Sequence, residues 1–130
     1  MKRILIVEDS PTMRALLVSA LDAIGSPVKI TEVESGFEAL RVLPREPFDL
    51  ILTDINMPDI NGLELVSFVK HNDAYREIPL IIVSIEGSER DRDKGMSLGA
   101  DAYLVKPFDP DDLRRIAEDL LGGSRDSGRG

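Results

Sequence analysis

The amino-acid sequence predicts an α/β fold in which a parallel β-sheet is covered by helices on both faces. Short apolar segments alternate along the chain with segments whose apolar residues recur at helical spacing, which is typical of strand–helix–strand units. Several of the short segments are apolar almost throughout, as expected for strands that are buried on both faces. The chain has 130 residues, which is the length of one domain.

Five segments are predicted to be strands because they are short, mostly apolar and bounded by turn or capping residues. The segment that follows the third strand, residues 56–62, is dense in Asn, Pro, Asp and Gly and is predicted to be a loop. In chain order, the predicted strands are Ile4–Val7, Val28–Val33, Phe48–Thr53, Leu80–Ser84 and Ala102–Val105.

Five helices are predicted after these strands, from capping residues and from apolar residues at helical spacing. The second helix begins at a capping box and ends at Pro44. The third has Leu65, Phe68 and Val69 as its predicted inward face. The capping residues are Ser10 and Pro11 for the first helix, Ser35 and Glu38 for the second, Ser88 and Asp91 for the fourth, and Asp109 and Pro110 for the fifth.

The domain is predicted to span residues 1–121, because the apolar face of the fifth helix ends there. Residues 122–130 are rich in Gly, Ser and Arg. That composition predicts a flexible tail or a linker to a further domain.

Composition excludes several classes of function. The sequence has no cysteine and one histidine, His71, which excludes disulfides, zinc–thiolate sites and multi-histidine metal sites. The net charge of −8 disfavours nucleic-acid binding by this domain. The apolar runs are far shorter than a membrane span of about 20 residues, and the first one is too short for a signal peptide. We therefore expect a cytoplasmic protein.

Polar side chains are predicted at the carboxyl end of the sheet, where open parallel sheets bind ligands. They are Glu8 and Asp9 after the first strand, Asp54 after the third, Ser84 at the end of the fourth and Lys106 after the fifth. Two carboxylates about 4 Å apart repel by about 4 kcal/mol at an effective dielectric constant near 20. Oxygen ligands without histidine or cysteine favour Mg²⁺ or Mn²⁺ as the compensating ion. Ser84 and Lys106 suit the binding of a phosphoryl oxygen, and Asp54 suits nucleophilic attack on phosphorus.

Four motifs, in this order and spacing, closely resemble the receiver domain of two-component response regulators. The resemblance runs from Lys2 to about Leu121, and the first helix resembles single-domain, chemotaxis-type regulators most. It implies a flavodoxin-like, doubly wound five-stranded parallel sheet in the order 2-1-3-4-5, with five helices. The motifs are ILIVEDS at residues 4–10, LILTDINMP at 50–58, IIVS at 81–84 and GADAYLVKPF at 99–108.

The resemblance also implies a role for each site residue. Asp54 is the phosphoacceptor and takes a phosphoryl group from a sensor histidine kinase. Mg²⁺ is held by Glu8, Asp9, Asp54 and the backbone carbonyl of Asn56, with Asp9 favoured over Glu8 as a direct ligand. Ser84 and Lys106 contact the phosphoryl group, and the Lys106–Pro107 peptide is expected to be cis. The domain is not an enzyme in the usual sense, since it catalyses only its own phosphorylation and dephosphorylation.

Signal output is implied to run through Tyr103, an aromatic switch that rotates inward as Ser84 moves toward the phosphate. The readout surface is the fourth helix, fifth strand and fifth helix, which is expected to bind a protein partner. Asn56, Ile85 and Glu86 are expected to tune the lifetime of the phosphoryl group. Ile85 is a departure from the family, which usually has a small residue there, and a bulky side chain is expected to narrow access to the site. The acidic pair Glu8-Asp9 is a second departure, because Asp-Asp is common at these two positions in the family.

Four alternatives are weighed against a stand-alone receiver. The chain is compatible with a receiver cut from a longer regulator, including a DNA-binding one, or with a phosphorelay intermediate. An aspartate-nucleophile phosphatase of the dehalogenase type is disfavoured, because such enzymes carry the nucleophile and a second Asp after the first strand. A flavin-binding electron carrier is disfavoured because Glu8-Asp9 would repel the flavin phosphate.

Overall fold

A computed structural model describes residues 1–123 of the chain. Five strands form one parallel sheet in the order β2-β1-β3-β4-β5, which confirms both the predicted fold class and the strand order that the resemblance implies. The strands are β1 (Lys2–Val7), β2 (Val28–Val33), β3 (Leu50–Thr53), β4 (Leu80–Ser84) and β5 (Ala102–Val105). Relative to the predictions, β1 begins two residues earlier and β3 two residues later.

Five α-helices alternate with these strands, and the four for which capping residues are predicted begin at them. They are α1 (Pro11–Asp22), α2 (Gly36–Val42), α3 (Gly62–Lys70), α4 (Glu89–Ser97) and α5 (Pro110–Glu118). A π-helical turn, Asp119–Gly123, extends α5 beyond the predicted end of the domain. Residues 124–130 of the predicted tail lie outside the described residues. No helix among the described residues is long and apolar enough to span a membrane.

The capping box predicted for α2 forms only in part. The Ser35 side chain accepts a hydrogen bond from Glu38 N, as predicted. The Glu38 carboxylate accepts from Glu34 N at 2.7 Å rather than from Ser35 N. A complete capping box, which the sequence analysis did not single out, begins α3 and consists of Asn61 and Glu64.

The sheet has an apolar core on each face because successive strand residues point to opposite sides. Helices α1 and α5 cover one face, with Leu17, Leu21, Leu113 and Ala117 fully buried or nearly so. Helices α2, α3 and α4 lie over the other face. The fourth helix offers few apolar residues, and its buried position is Gly95, whose backbone lies against Ile82 and Tyr103.

The predicted inward face of α3 is wrong at one position. Leu65 and Val69 are buried as predicted, and Val66 is buried with them, but Phe68 is 43% exposed. At 3.6 residues per turn, Phe68 lies outside the arc that Leu65, Val66 and Val69 span. Its ring instead lies 6.1 Å from the ring of Tyr75, centroid to centroid.

The loop between β3 and α3 is fastened to the start of α2 by Asp59. Its carboxylate accepts hydrogen bonds from Gly36 N at 3.1 Å, Phe37 N at 2.9 Å and Ile60 N at 2.6 Å. Desolvation acts to raise the pKa of Asp59, but the backbone donors, joined by the Ser35 hydroxyl, outweigh it and lower the pKa to about 2. The loop that leaves the sheet beside Asp54 is thereby tied to a neighbouring helix.

We predict that Asp59→Asn lowers stability near neutral pH and has little effect at about pH 2. The pKa of Asp59 in the folded chain is below its ordinary value of 3.8. Its contribution is therefore present above about pH 4 and is lost as the pH falls through about 2. Urea unfolding from neutral to acid pH measures the difference between wild type and variant. The control is Asp93→Asn, an exposed carboxylate of α4. An Asp59→Asn loss of equal size at pH 7 and pH 2 contradicts this account.

Candidate functional site

Four of the five polar groups predicted at the carboxyl end of the sheet are buried side by side. Glu8, Asp54 and Ser84 are at most 7% exposed, and the side chain of Lys106 is 11% exposed. Asp9 lies beside them and is exposed. Parallel pairing of β1 with β3, β3 with β4 and β4 with β5 brings these strand ends to one edge. The predicted convergence is therefore what the fold produces.

Lys106 links two of the carboxylates. Its ammonium nitrogen Nζ lies 3.0 Å from Glu8 Oε1 and 3.2 Å from Asp54 Oδ2, close enough to donate a hydrogen bond to each. Removing one partner from a buried ion pair costs about 3–5 kcal/mol, because the other charge is left uncompensated. The Lys106–Pro107 peptide is cis, as the resemblance implies.

Backbone groups hold the Asp54 carboxylate from the other side. Ile55 N donates to Asp54 Oδ1 at 2.6 Å, and Asn56 N lies at 3.4 Å from the same oxygen. The Asp54 carbonyl accepts from the Thr53 hydroxyl at 2.9 Å. Both carboxylate oxygens of Asp54 thus have a hydrogen-bond partner, which restricts the orientation of the group.

Glu8 is an ionisable group with almost no solvent contact. Burial raises the pKa of its carboxyl, and the hydrogen bonds from Lys106 and from Ser10 N only partly offset this. The charge of Asp54 raises the pKa further, whereas that of Lys106 lowers it. Arg14 supports the turn from α1, because its Nη1 donates to the Glu8 carbonyl at 2.8 Å.

The donor set fits a hard divalent cation. Glu8, Asp9 and Asp54 each offer a carboxylate oxygen, and these atoms lie within 4.8 Å of one another. All three are oxygen donors, which Mg²⁺ and Mn²⁺ prefer. Lys106 neutralises part of the charge but lies against Glu8 and Asp54 rather than the exposed Asp9. Asp9 is therefore positioned to meet an ion that arrives from solvent.

The loops after β3 and β4 are joined above the site. Asn56 Nδ2 donates to Glu86 Oε2 at 3.2 Å, so two of the residues expected to tune phosphoryl lifetime contact each other directly. The Ser84 side chain is fully buried and accepts from Glu86 N at 3.0 Å. Ile85 points away from the core and is 66% exposed. Its effect on access to the site stays a prediction.

Tyr103 occupies a buried, inward position on β5. It is 6% exposed, and its hydroxyl donates to the Glu86 carbonyl at 2.5 Å. Burial raises the pKa of the phenol above its ordinary value of 10.0; the charges of Asp91 and Glu86 add to the increase, and Ser84 and Arg92 oppose it. The tyrosine is therefore tied through Glu86 to the loop that follows Ser84.

Two supporting residues were missed by the sequence analysis. Arg14 donates to the Glu8 carbonyl and forms ion pairs with Glu32 of β2 and with Glu34, which directly follows β2. Gly62 was placed only in a turn, yet a Cβ there would lie 1.9 Å from the Asp54 carbonyl oxygen. The Asn61-Gly62 pair at the start of α3 is the sequence feature that could have indicated a special role for Gly62. The contacts of Arg14 had no signal, because they join elements distant in sequence.

Comparisons with known proteins agree on one family. The family described as "Response regulator receiver domain" matches residues 4–118. A chemotaxis protein CheY homolog of Campylobacter jejuni is 38% identical over 121 residues, covering 92% of this chain and 92% of that protein. A structure of chemotaxis response regulator CheY4 of Vibrio cholerae has a TM-score of 0.83 and 31% identity, covering 93% of this chain and 99% of that one.

A structure of the Mn²⁺-bound form of response regulator Rcp1 is also similar, with a TM-score of 0.79 and 26% identity. The match covers 92% of this chain and 91% of that one. Together these matches favour the receiver over the phosphatase and the flavin carrier considered above.

We predict that Gly62→Ala lowers the free energy of unfolding by about 1–3 kcal/mol, the usual cost of overpacking. The added Cβ would overlap the Asp54 carbonyl and lie 2.7 Å from Ile55 Cα, so the start of α3 or the Asp54 backbone must shift. Gly25→Ala is the matched control, because a Cβ at Gly25 has no atom within 4 Å. Urea unfolding of both variants measures the effect. Equal stabilities of the two variants would show that Gly62 is not required for close packing.

Proposed function

Because the chain belongs to the family of response regulator receiver domains, we propose that Asp54 accepts a phosphoryl group from a histidine kinase. Transfer to Asp54 then switches a protein-binding surface. The observation that carries this proposal is the position of Asp54, which is buried between Lys106 on one oxygen and Ile55 N on the other. A carboxylate held in this way is oriented for attack and is partly neutralised by a neighbouring cation.

The proposed step is a displacement at phosphorus. An Asp54 oxygen forms a bond to phosphorus as the bond from phosphorus to the donor nitrogen breaks, and the donor imidazole leaves with the electron pair. Lys106 supplies positive charge next to the transferred oxygens. The Ser84 hydroxyl accepts from Glu86 N and interacts with the Tyr103 hydroxyl in the resting domain; its proton would be donated to a phosphoryl oxygen on transfer. The same residues serve the hydrolysis of the phosphoryl group, in which a water oxygen bonds to phosphorus as the bond from phosphorus to the Asp54 oxygen breaks and the carboxylate is restored. In this proposal the domain catalyses only its own phosphorylation and dephosphorylation.

We further propose Mg²⁺ or Mn²⁺ as the cofactor. The carboxylates of Glu8, Asp9 and Asp54, with the backbone carbonyl of Asn56, would hold it. When bound, the ion would neutralise negative charge on the phosphoryl oxygens. The fit of the all-oxygen donor set supports this, as does the Mn²⁺ in the similar structure of Rcp1. The bound ion and Lys106 would together offset the negative charge of the three carboxylates at the carboxyl end of the sheet.

The output surface is proposed to be α4, β5 and α5, with Tyr103 at its centre, and its partner to be a protein. Phosphorylation adds charge and acceptor oxygens at Asp54, and Ser84 and Lys106 gain a partner there. If the arrangement of the loop after Ser84 that binds this charge differs from the resting one, the population shifts toward it. The lack of cysteine suits a reducing compartment, and the cytoplasm remains our expected location.

Incubation with acetyl phosphate and Mg²⁺ is predicted to add a single phosphoryl group to the protein. Intact-mass spectrometry detects it. Asp54→Asn is expected to remain unmodified, whereas Asp93→Asn, a matched loss of an exposed carboxylate, is expected to react like wild type. A sample without divalent metal should also remain unmodified. Addition to Asp54→Asn at the wild-type rate would show that the acceptor lies elsewhere.

Mg²⁺ is predicted to raise the free energy of unfolding, because it binds the folded site and not the separated carboxylates of the unfolded chain. At a concentration one hundred times the dissociation constant, the gain is about 2.7 kcal/mol. Asp9→Asn is expected to remove most of it. Asp22→Asn, an exposed carboxylate at the end of α1, should keep it. The measurement is thermal unfolding with and without Mg²⁺, and an undiminished gain in Asp9→Asn would refute the ligand assignment.

Ile85→Ala is predicted to raise the rate of phosphorylation by acetyl phosphate, the rate of autodephosphorylation, or both. The reason is that Ile85 directly follows Ser84 and its exposed side chain is bulky. Phosphorylated protein is followed by mass over time. Unchanged rates in both directions would rule out a steric role for Ile85.

A further inference from the structure

We infer that Arg92 of α4 is a positioning residue that holds Tyr103 in its buried position and thereby sets how readily the output surface responds to the site. Only the effect of Arg92 on the output surface rests on the proposed function. Arg92 holds Tyr103 in the resting domain, and this can be tested without phosphorylation.

Arg92 contacts Tyr103 in two ways. Its Nη1 donates a hydrogen bond to the Tyr103 carbonyl at 3.2 Å, and its Cζ lies 5.4 Å from the centroid of the phenol ring. A guanidinium within about 6 Å of a ring face is attracted to it by a cation–π interaction. One side chain thus binds the backbone and covers the ring of the same residue.

The guanidinium has carboxylates nearby in sequence but does not pair with them. Glu89, Asp91 and Asp93 lie within three residues of Arg92 on the same helix. Among residues 1–123, no carboxylate lies within 4.0 Å of its nitrogens in an ion pair, and the Asp91 carboxylate instead accepts from Ser88. Arg92 is therefore directed at Tyr103 although acidic partners are available on its own helix.

Gly95, the Glu86 carbonyl and Arg92 together enclose Tyr103, and Arg92 is the one of the three that contacts it through a side chain. Gly95 lies against the ring, and a Cβ there would be 3.1 Å from Tyr103 Cδ2. This backbone cannot move without shifting α4. The hydroxyl is fixed to the Glu86 carbonyl. Arg92 is exposed, and its guanidinium lies over the ring. Its contact with the ring therefore adds to the stability of the buried position of Tyr103, and its bond to the carbonyl holds the guanidinium in place.

The hydrogen bond from Arg92 to the Tyr103 carbonyl matters because of the position of β5 in the sheet. β5 is an edge strand, paired with β4 on one side and with no strand on the other within the described sheet. The outward carbonyls of an edge strand need partners from elsewhere. Arg92 supplies one for Tyr103 and so joins α4 to β5 at the residue proposed as the switch.

Hydrogen bonds also connect this enclosure to the phosphoacceptor. Asn56, two residues after Asp54, donates to the Glu86 side chain, and the Glu86 carbonyl accepts from Tyr103. A change in the loop after Ser84 therefore reaches the tyrosine hydroxyl at one end while Arg92 holds its backbone and ring at the other. The strength of the Arg92 contacts then sets how far the ring follows the loop.

The test uses a full-length chain with one tyrosine. The sequence has two tyrosines and no tryptophan, so Tyr75→Phe leaves Tyr103 as the sole fluorophore of this type. Acrylamide quenching of its fluorescence measures solvent access to the ring. In the Tyr75→Phe background, Arg92→Met is expected to increase the fraction of Tyr103 rings accessible to acrylamide about two- to fivefold. This is the change in the equilibrium between buried and accessible rings that follows from losing a cation–π contact at an exposed site. Arg92→Lys, which keeps the charge, is expected to fall between the two.

Arg90→Met is the matched control, since Arg90 is an exposed arginine of the same helix. It removes the same charge and should leave quenching at the wild-type level. Urea unfolding is measured in parallel, because a merely structural role would lower stability without exposing the ring. Equal quenching in wild type and Arg92→Met overturns the inference, and so does an equal increase in Arg90→Met.

A second arm repeats the quenching with Mg²⁺ and beryllofluoride, a mimic of the phosphoryl group. The inference predicts a different change in ring access in Arg92→Met than in wild type. Identical changes in both overturn the link between Arg92 and the site, while the proposed function stands. Failure of beryllofluoride to bind either protein counts against the proposed function, and the first arm then decides the role of Arg92 on its own.

Discussion

The ammonium of Lys106 is the interaction on which the site depends. It joins the carboxylates that follow β1 and β3 to the end of β5, a strand of the proposed output surface. Three carboxylates at one sheet edge repel one another, and burial of Glu8 and Asp54 removes most of the water that would screen them. A lysine that contacts both is the only cation among residues 1–123 shown in that position. Any chemistry that changes the charge on Asp54 must change the position of Lys106 or its partners.

The surrounding fold restricts where such a change can go. Behind Asp54, Gly62 packs without a side chain against its carbonyl, and Asp59 ties the following loop to α2. The side of the site around Asp54, the proposed phosphoacceptor, is therefore closely packed and tied by hydrogen bonds. The loop after Ser84 is held mainly by side chains, through Asn56 to Glu86 and Tyr103 to the Glu86 carbonyl. Side-chain hydrogen bonds can be exchanged without shifting a packed backbone, so we expect a change at Asp54 to be passed toward α4 and β5.

Much of this arrangement could be predicted from the sequence, and the reasons are physical. Strands buried on both faces are uninterrupted apolar runs, and helix starts carry local capping residues, so the sequence predicts the observed bounds of β4 and the observed cap of α4. The bounds of β5 are also predicted correctly, although only Tyr103 of that strand is buried. The closeness of Glu8, Asp9, Asp54 and Lys106 is predicted because parallel strands end at a common edge. The roles proposed for the site residues come from the family resemblance. The failures have both local and long-range causes. Phe68 lies outside the buried arc of α3, Glu38 bonds Glu34 instead of Ser35, and the contacts of Gly62 and Arg92 arise only when separate elements pack together.

The most direct test of the account is a ¹⁹F and ¹H–¹⁵N NMR titration of the protein with beryllofluoride and Mg²⁺. The account predicts a saturable signal of bound beryllofluoride that requires both Mg²⁺ and Asp54. It also predicts shifts of the backbone amides of Ile55 and Asn56, which donate to the Asp54 carboxylate, and of Glu86, which donates to Ser84. Absence of a bound signal at saturating Mg²⁺, or an unchanged signal in Asp54→Asn, would contradict the assignment of Asp54 as the phosphoacceptor.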